Sequence, residues 1–309
     1  MTRFLITIIL IFTIAIFWFV NSSKYVGYIY NPRTASKDFL ASGYSNLNLL
    51  AFDSESNLEK TFRMLEEKGI KIIIGPPTSA EGEMILPYLK KYNSVALSAT
   101  ISSTKLLNSG YIYSFTVSNK FILEKLRQLL DFLDSKKVLL VSDPSNRQYS
   151  DEFKGIFSTF EGMNLYYYNI NSLKSINATD FDTVVMTIFP KDAAEVVKEM
   201  KKENPSLKFV GMDSVMAENF VNLGGQAVEG VYIIYSMGDF ENPEYELISE
   251  IADFLSKHKF LSADQFKRFL KTNVIETPKG RYHYNNESID REVKIFMVKN
   301  GKFVPVQVF

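Results

Sequence analysis

The segment that most narrows the folds open to this chain is Lys71-Ile72-Ile73-Ile74-Gly75-Pro76-Pro77-Thr78-Ser79. Three successive isoleucines without polar alternation suit a strand covered on both faces, as at the centre of a parallel sheet. Gly75-Pro76 ends the run, and Thr78-Ser79 then offers two hydroxyls where a helix should begin. In open parallel sheets ligands collect beyond the carboxyl ends of the strands. These hydroxyls and the first amides of the helix therefore stand where a small anionic group would be held.

The same alternation recurs along most of the chain. Strands are expected at residues 25–30 and 47–52, with Asp53-Ser54-Glu55 as a helix cap and Leu58, Phe62 and Leu65 at helical spacing up to Gly69. Met84, Ile85 and Tyr88 mark the next helix, and residues 94–97 form a strand that ends in the hydroxyl-rich Ser98-Ala99-Thr100-Ile101-Ser102-Ser103-Thr104. A strand over 111–117 leads to a helix over 119–133. Further buried strands follow at 137–141, 182–188, 207–211 and 230–236, with a short strand at 164–168. Successive strand and helix periods of this kind imply right-handed crossovers and two layered α/β lobes. The last part differs. After two amphipathic helices, residues 280–284 and 292–298 read as antiparallel strands, and Asn300-Gly301 supplies a tight hairpin turn into 303–306.

Of the 309 residues, 46% are hydrophobic, enough for two domains. The 35 basic and 35 acidic side chains balance, so no global field favours nucleic acid. The chain has no cysteine, which excludes thiolate catalysis, disulfides and Cys-ligated metals. Behind Arg3, residues 4–20 form a largely apolar run without a charge, the length of a signal peptide or a short membrane span. Either reading of segment 1–23 places the remainder outside the inner membrane, in the periplasm or an equivalent compartment.

Taken together, Gly75-Pro76-Pro77-Thr78-Ser79, Leu97-Ser98-Ala99-Thr100, the loop from Asp143 to Tyr149, Gly211-Met212-Asp213, Glu229-Gly230-Val231 and the closing hairpin around Asn300-Gly301 resemble the type I periplasmic binding proteins. The branch they resemble is the leucine/isoleucine/valine-binding proteins of ABC transporters. The resemblance implies an α/β fold of two Rossmann-like lobes joined by three hinge crossings. Lobe 1 would comprise 24–116 plus 240–282, and lobe 2 117–239 plus 283–309. It also implies capture of an amino acid or related small zwitterion between the lobes, with an ABC permease or other inner-membrane complex as partner. No catalysis and no cofactor are implied.

Carried over by position, Ser79 corresponds to a hydroxyl and amide contact for the ligand carboxylate, Thr100 to a backbone contact and Ser102 to a hydroxyl for the amino-acid head group. Tyr149 corresponds to the aromatic that covers the ligand, and Asp213 to the acidic residue that receives its ammonium. Phe189, after the 182–188 strand, is a candidate for the side-chain pocket. Each also has an ordinary structural role open to it: Ser79 and Ser102 as helix caps, Tyr149 as a packing ring, Asp213 as the cap of the turn that follows, Phe189 in packing.

Two departures from the family pattern stand out. The interval 31–46 is too short for the usual long first helix, and 238–243 passes quickly to the next helix where the family inserts more chain. A membrane-tethered sensor or interaction module with altered or lost ligand binding is therefore the alternative reading. An enzyme has less support, since G-x-G-x-x-G, Gly-Lys-Ser/Thr and G-x-S-x-G motifs are missing at the strand ends. His258 and His283 lack metal-ligand partners at useful spacing and read as structural or surface residues, while Asp143, Asp182 and Asp213 are the acidic residues from which a cation site would have to be built.

Overall fold

The computed structural model of the protein describes residues 25–31, 47–236, 243–278, 280–284 and 289–308. The apolar segment 4–20 and the two short intervals, 32–46 and 237–242, lie outside the described residues. Among the described residues, no helix is long and apolar enough to cross a membrane.

The first sheet contains five parallel strands in the order β2-β1-β3-β4-β5: β1 Tyr25–Tyr30, β2 Asn48–Asp53, β3 Ile72–Ile74, β4 Val95–Ser98 and β5 Ile112–Ser114. Because side chains alternate across a strand, each apolar run feeds two cores. Ile72 and Ile74 join Val26, Val95 and Leu97 on one face, whereas Ile73 joins Ile29 and Ala96 on the other. The second face is covered by α1 (Leu58–Glu67), α2 (Ser79–Lys91) and the short α3 (Thr104–Leu107). The first face receives α8 (Pro243–Lys257) and α9 (Ala263–Thr272) from late in the chain.

The second sheet has seven strands, ordered β14-β13-β10-β9-β8-β6-β7. Strands β6 (Lys137–Ser142), β7 (Asn164–Asn169), β8 (Thr183–Thr187), β9 (Lys208–Gly211) and β10 (Tyr232–Tyr235) are parallel, and β13 (Lys294–Lys299) and β14 (Lys302–Val306) add an antiparallel edge. Helices α4 (Asn119–Phe132) and α5 (Arg147–Phe157) cover one face, and α6 (Pro190–Glu203) and α7 (Glu218–Gly224) the other. Two lobes, each a sheet between helical layers, result.

Local expectations fail in instructive places. The strand expected over 111–117 stops at Ser114, because Phe115 to Ser118 leave the sheet and cross to the second lobe. Thr116 and Ser236, which follow β5 and β10 on two different crossings, share a buried hydroxyl–hydroxyl hydrogen bond of 2.8 Å. The cap of α1 is Asn57, not the Asp53-Ser54-Glu55 group; Asp53 instead accepts the Glu55 amide within its own turn. Met84 is 54% exposed, and Ile85 and Leu89 are the residues of α2 that reach the core. An unanticipated strand, β11 (Val274–Thr277), pairs with β12 (Gly280–His283). The hairpin turn is as expected: Asn300 and Gly301 both take positive φ, 53° and 68°, and Glu229 accepts both of their amides at 2.9 and 2.7 Å.

Candidate functional site

The site region begins at the end of β3. Gly75 has φ +96°, and a Cβ there would lie 2.3 Å from the carbonyl oxygen of Ile29 on the neighbouring strand, so only glycine fits. The chain then reaches Thr78, which caps α2: its hydroxyl accepts the Glu81 amide at 3.2 Å, and the Glu81 carboxylate accepts the Thr78 amide at 3.1 Å. Ser79 is therefore the first helical residue and not the cap. It is 3% exposed, and its hydroxyl makes no hydrogen bond to another described residue. Thr78→Ala should lower stability by about 1 kcal/mol in urea titrations; an unchanged midpoint would show that Glu81, which Asn31 also contacts at 3.0 Å, holds the helix end unaided.

At the end of β4, Ser98 donates to the Pro76 carbonyl at 2.8 Å and Thr100 to that of Pro77 at 2.5 Å. Both hydroxyls stitch one strand end to the next, so the side chain of Thr100 is engaged internally. Ser102 differs. It is 1% exposed, and its hydroxyl has no hydrogen-bond partner among the described residues.

Tyr149 and Asp213 meet in the second lobe. Tyr149 lies in the first turn of α5, its ring 4.6 Å from that of Phe153, and its hydroxyl donates to Asp213 Oδ1 at 2.5 Å. Asp213 follows β9 and opens a short 3-10 turn, Asp213–Val215, whose Ser214 amide also donates to Oδ1, at 2.9 Å. Gly211 is needed just before it, since a Cβ there would come within 2.9 Å of Val215. Both bonds end on one carboxylate oxygen, which leaves Oδ2 for an incoming donor.

Burial raises the Asp213 carboxyl above the usual carboxylate range, against the opposing pull of the Tyr149 hydroxyl and the Ser214 amide. Burial, and then the Asp213 charge, push the Tyr149 phenol well up. The phenol of Tyr235, at the end of β10, is raised mainly by burial and next by Asp213. A carboxyl with a raised folded pKa binds more protons folded than unfolded, so its contribution to stability falls as pH rises from the ordinary carboxylate pKa through the raised one. Asp213→Asn should accordingly be more stable than wild type at pH 7, and the gap should close toward pH 4. Urea unfolding at both pH values checks this, and a gap that widens on acidification contradicts it.

The two lobes touch across this region. Helix α2 packs against α5, and Glu152 of α5 accepts the Thr104 amide of α3 at 2.8 Å. No hydrogen bond joins Ser79 or Ser102 directly to the Tyr149–Asp213 pair among the described residues. Phe189 precedes α6 and is 40% exposed. The other acidic candidates are dispersed: Asp143 caps its own 3-10 turn at Ser145, and Asp182 accepts the Lys136 and Lys137 amides at the opposite, amino-terminal end of β6. Among the described residues no cluster of three or more His, Asp or Glu could hold a metal. His258 Nδ1 donates to the Phe254 carbonyl, 2.9 Å away, and the ring packs among Phe254, Phe260 and Phe269.

Two interlobe contributors, Asn119 and Glu152, escape a reading from sequence. Asn119 is fully buried at the start of α4, its amide 2.7 Å from the Ser102 carbonyl. Nothing in the local pattern separates it from any polar residue at a helix start.

The sequence profile of the periplasmic binding proteins matches residues 51–258, and the chain belongs to that family. It is a family of extracytoplasmic solute-binding proteins that serve ABC transporters, and its members are non-catalytic. Among solved structures, the chain is similar to a leucine-binding protein from Thermotoga maritima, with 14% identity, a TM-score of 0.72 and coverage of 92% of this chain and 98% of that one. It is also similar to a branched-chain amino-acid substrate-binding protein from Streptococcus pneumoniae in complex with isoleucine (16% identity, TM-score 0.70, covering 92% and 100%). A third is a solute-binding protein from R. palustris in complex with 4-hydroxybenzoate (12%, 0.70, covering 92% and 95%). At these identities the likeness establishes the fold. No curated protein matches the chain.

Proposed function

We propose that the protein captures an amino acid or related small zwitterion between lobes spanning 24–116 plus 240–282 and 117–239 plus 283–309, and presents it to an ABC permease of the inner membrane. The observation that carries this reading is the carboxylate of Asp213: it is buried at a strand end, held on one oxygen by Tyr149 and Ser214, and has the other oxygen available. A buried carboxylate of this kind suits an ammonium group, which would restore its charge by pairing. Ser79 and Ser102, both buried and with hydroxyls that make no hydrogen bond among the described residues, suit the ligand carboxylate, alongside the first amides of α2. Thr100 contributes through its backbone, Tyr149 as the cover over the ligand, and Phe189 as the rim of the side-chain pocket.

Native mass spectrometry of the protein purified without denaturation, followed by identification of the released small molecule, tests the proposal. A zwitterionic amino acid is the expected result. A protein that releases no solute and gives no calorimetric response to any amino acid would favour the interaction module instead. The Tyr149 hydroxyl on Asp213 is the contact that reading would rest on, with the lobe closing over its own side chains.

A further inference from the structure

The floor between the lobes holds more unsatisfied polar atoms than an amino-acid head group can use. Ser102 and Ser103 are 1% and 0% exposed, and neither hydroxyl has a partner among the described residues. Asn119 is 0% exposed, and neither its side-chain oxygen nor its nitrogen has a partner among the described residues. Oε2 of Glu152 is likewise buried and unpartnered, although its Oε1 is held by the Thr104 amide. Two backbone contacts tie these groups into one neighbourhood: Asn119 N to Ser102 O at 2.7 Å, and Thr104 N to Glu152 Oε1 at 2.8 Å.

Buried polar groups in folded proteins are nearly always paired, and each one left unpaired carries a desolvation penalty. The missing partners define a chemistry. Asn119 offers a donor and an acceptor side by side, Glu152 Oε2 only accepts, and the serine hydroxyls do either. An aliphatic side chain would leave all of them unpaired. A primary amide carries the complementary set of groups: two N–H donors for acceptors such as Glu152 Oε2 and Asn119 Oδ1, and an oxygen that accepts from Asn119 Nδ2 or a serine hydroxyl.

Building on the zwitterion reading above, in which the Ser102 hydroxyl serves the head group, we infer that Ser103, Asn119 and Glu152 form a side-chain subsite beside it, and that the solute is an amino acid bearing a carboxamide or similar hydrogen-bonding side chain, not a branched aliphatic one. A site built to pair polar groups rejects an analogue that lacks them far more strongly than an apolar pocket rejects a change of size.

Calorimetric titration of the full chain with L-glutamine, L-asparagine and L-leucine tests the inference. One of the two amides is expected to bind at least tenfold tighter than leucine. Glu152→Gln keeps the acceptor for Thr104 but sets a donor against the ligand N–H groups, and should lose at least tenfold in the ratio of amide to leucine affinity. Asn119→Leu should remove the preference, with circular dichroism and the thermal midpoint confirming that the variant is folded. Leucine binding as tightly as both amides, or a preference that survives both variants, overturns the subsite and leaves the zwitterion reading standing. Failure of the folded wild-type protein to bind any α-amino acid overturns both.

Discussion

Asp213→Ala is expected to abolish measurable amino-acid binding while leaving the protein folded. The carboxylate is 7% exposed, and its environment already disfavours the charged form through burial. An ammonium arriving at Oδ2 would gain a charge-assisted bond in a site shielded from water. Removing one partner of such a buried, hydrogen-bonded charge pair at a binding interface costs about 2–5 kcal/mol, which is roughly thirtyfold to several thousandfold in affinity. Tyr149 loses its acceptor in the same variant, so part of the loss is a phenol left without its 2.5 Å partner. Tyr149→Phe separates the two contributions: it should weaken binding less, because the carboxylate remains. Isothermal calorimetry with the released solute reads both variants. Wild-type affinity in Asp213→Ala would remove the ammonium role altogether.

The largest expected loss of stability lies at the third crossing. Arg291, between β12 and β13, forms an ion pair with Glu250 of α8, and both side chains are only 4% exposed. Thr277 of β11 donates to Glu250 Oε1 at 2.8 Å, and the guanidinium sits 4.2 Å from the centre of the Tyr282 ring. The pair thus joins a lobe-1 helix to the chain segment entering the antiparallel edge of the second sheet. A buried ion pair need not be net stabilising against a hydrophobic replacement, but breaking it leaves an uncompensated charge, at a cost of about 3–5 kcal/mol. Arg291→Met should therefore destabilise by that amount in urea titrations, and Glu250→Leu by a similar one. The double variant should recover most of the loss, and a loss equal to the sum of the two singles would show that the charges act independently.

The strands and turns depend on near neighbours in the chain, which is why they are legible in it. Ile72-Ile73-Ile74 needs only its own composition to announce a doubly covered strand, and Asn300-Gly301 only its tolerance of positive φ to announce a hairpin. The strand ends that carry the candidate residues were legible too, since an α/β order of elements fixes where strand carboxyl ends converge. Ser79 and Asp213 are found at such ends, and Tyr149 joins Asp213 directly.

Other features depend on partners remote in sequence. Residues 115–117 have the character of a strand, yet once the Phe115 amide has donated to the Ser98 carbonyl at 3.0 Å, β4 has ended and the chain crosses to the second lobe. The spent hydroxyl of Thr100, the Glu250–Arg291 pair and the unpaired amide of Asn119 each follow from which segments meet, and no local period records that. By itself the sequence determined the alternating elements and the two-lobed class, because backbone propensity and side-chain periodicity act over a few residues. Only the tertiary structure decided which polar groups are already satisfied and which still lack a partner, because hydrogen bonding and desolvation are set by the packing of chain segments tens of residues apart.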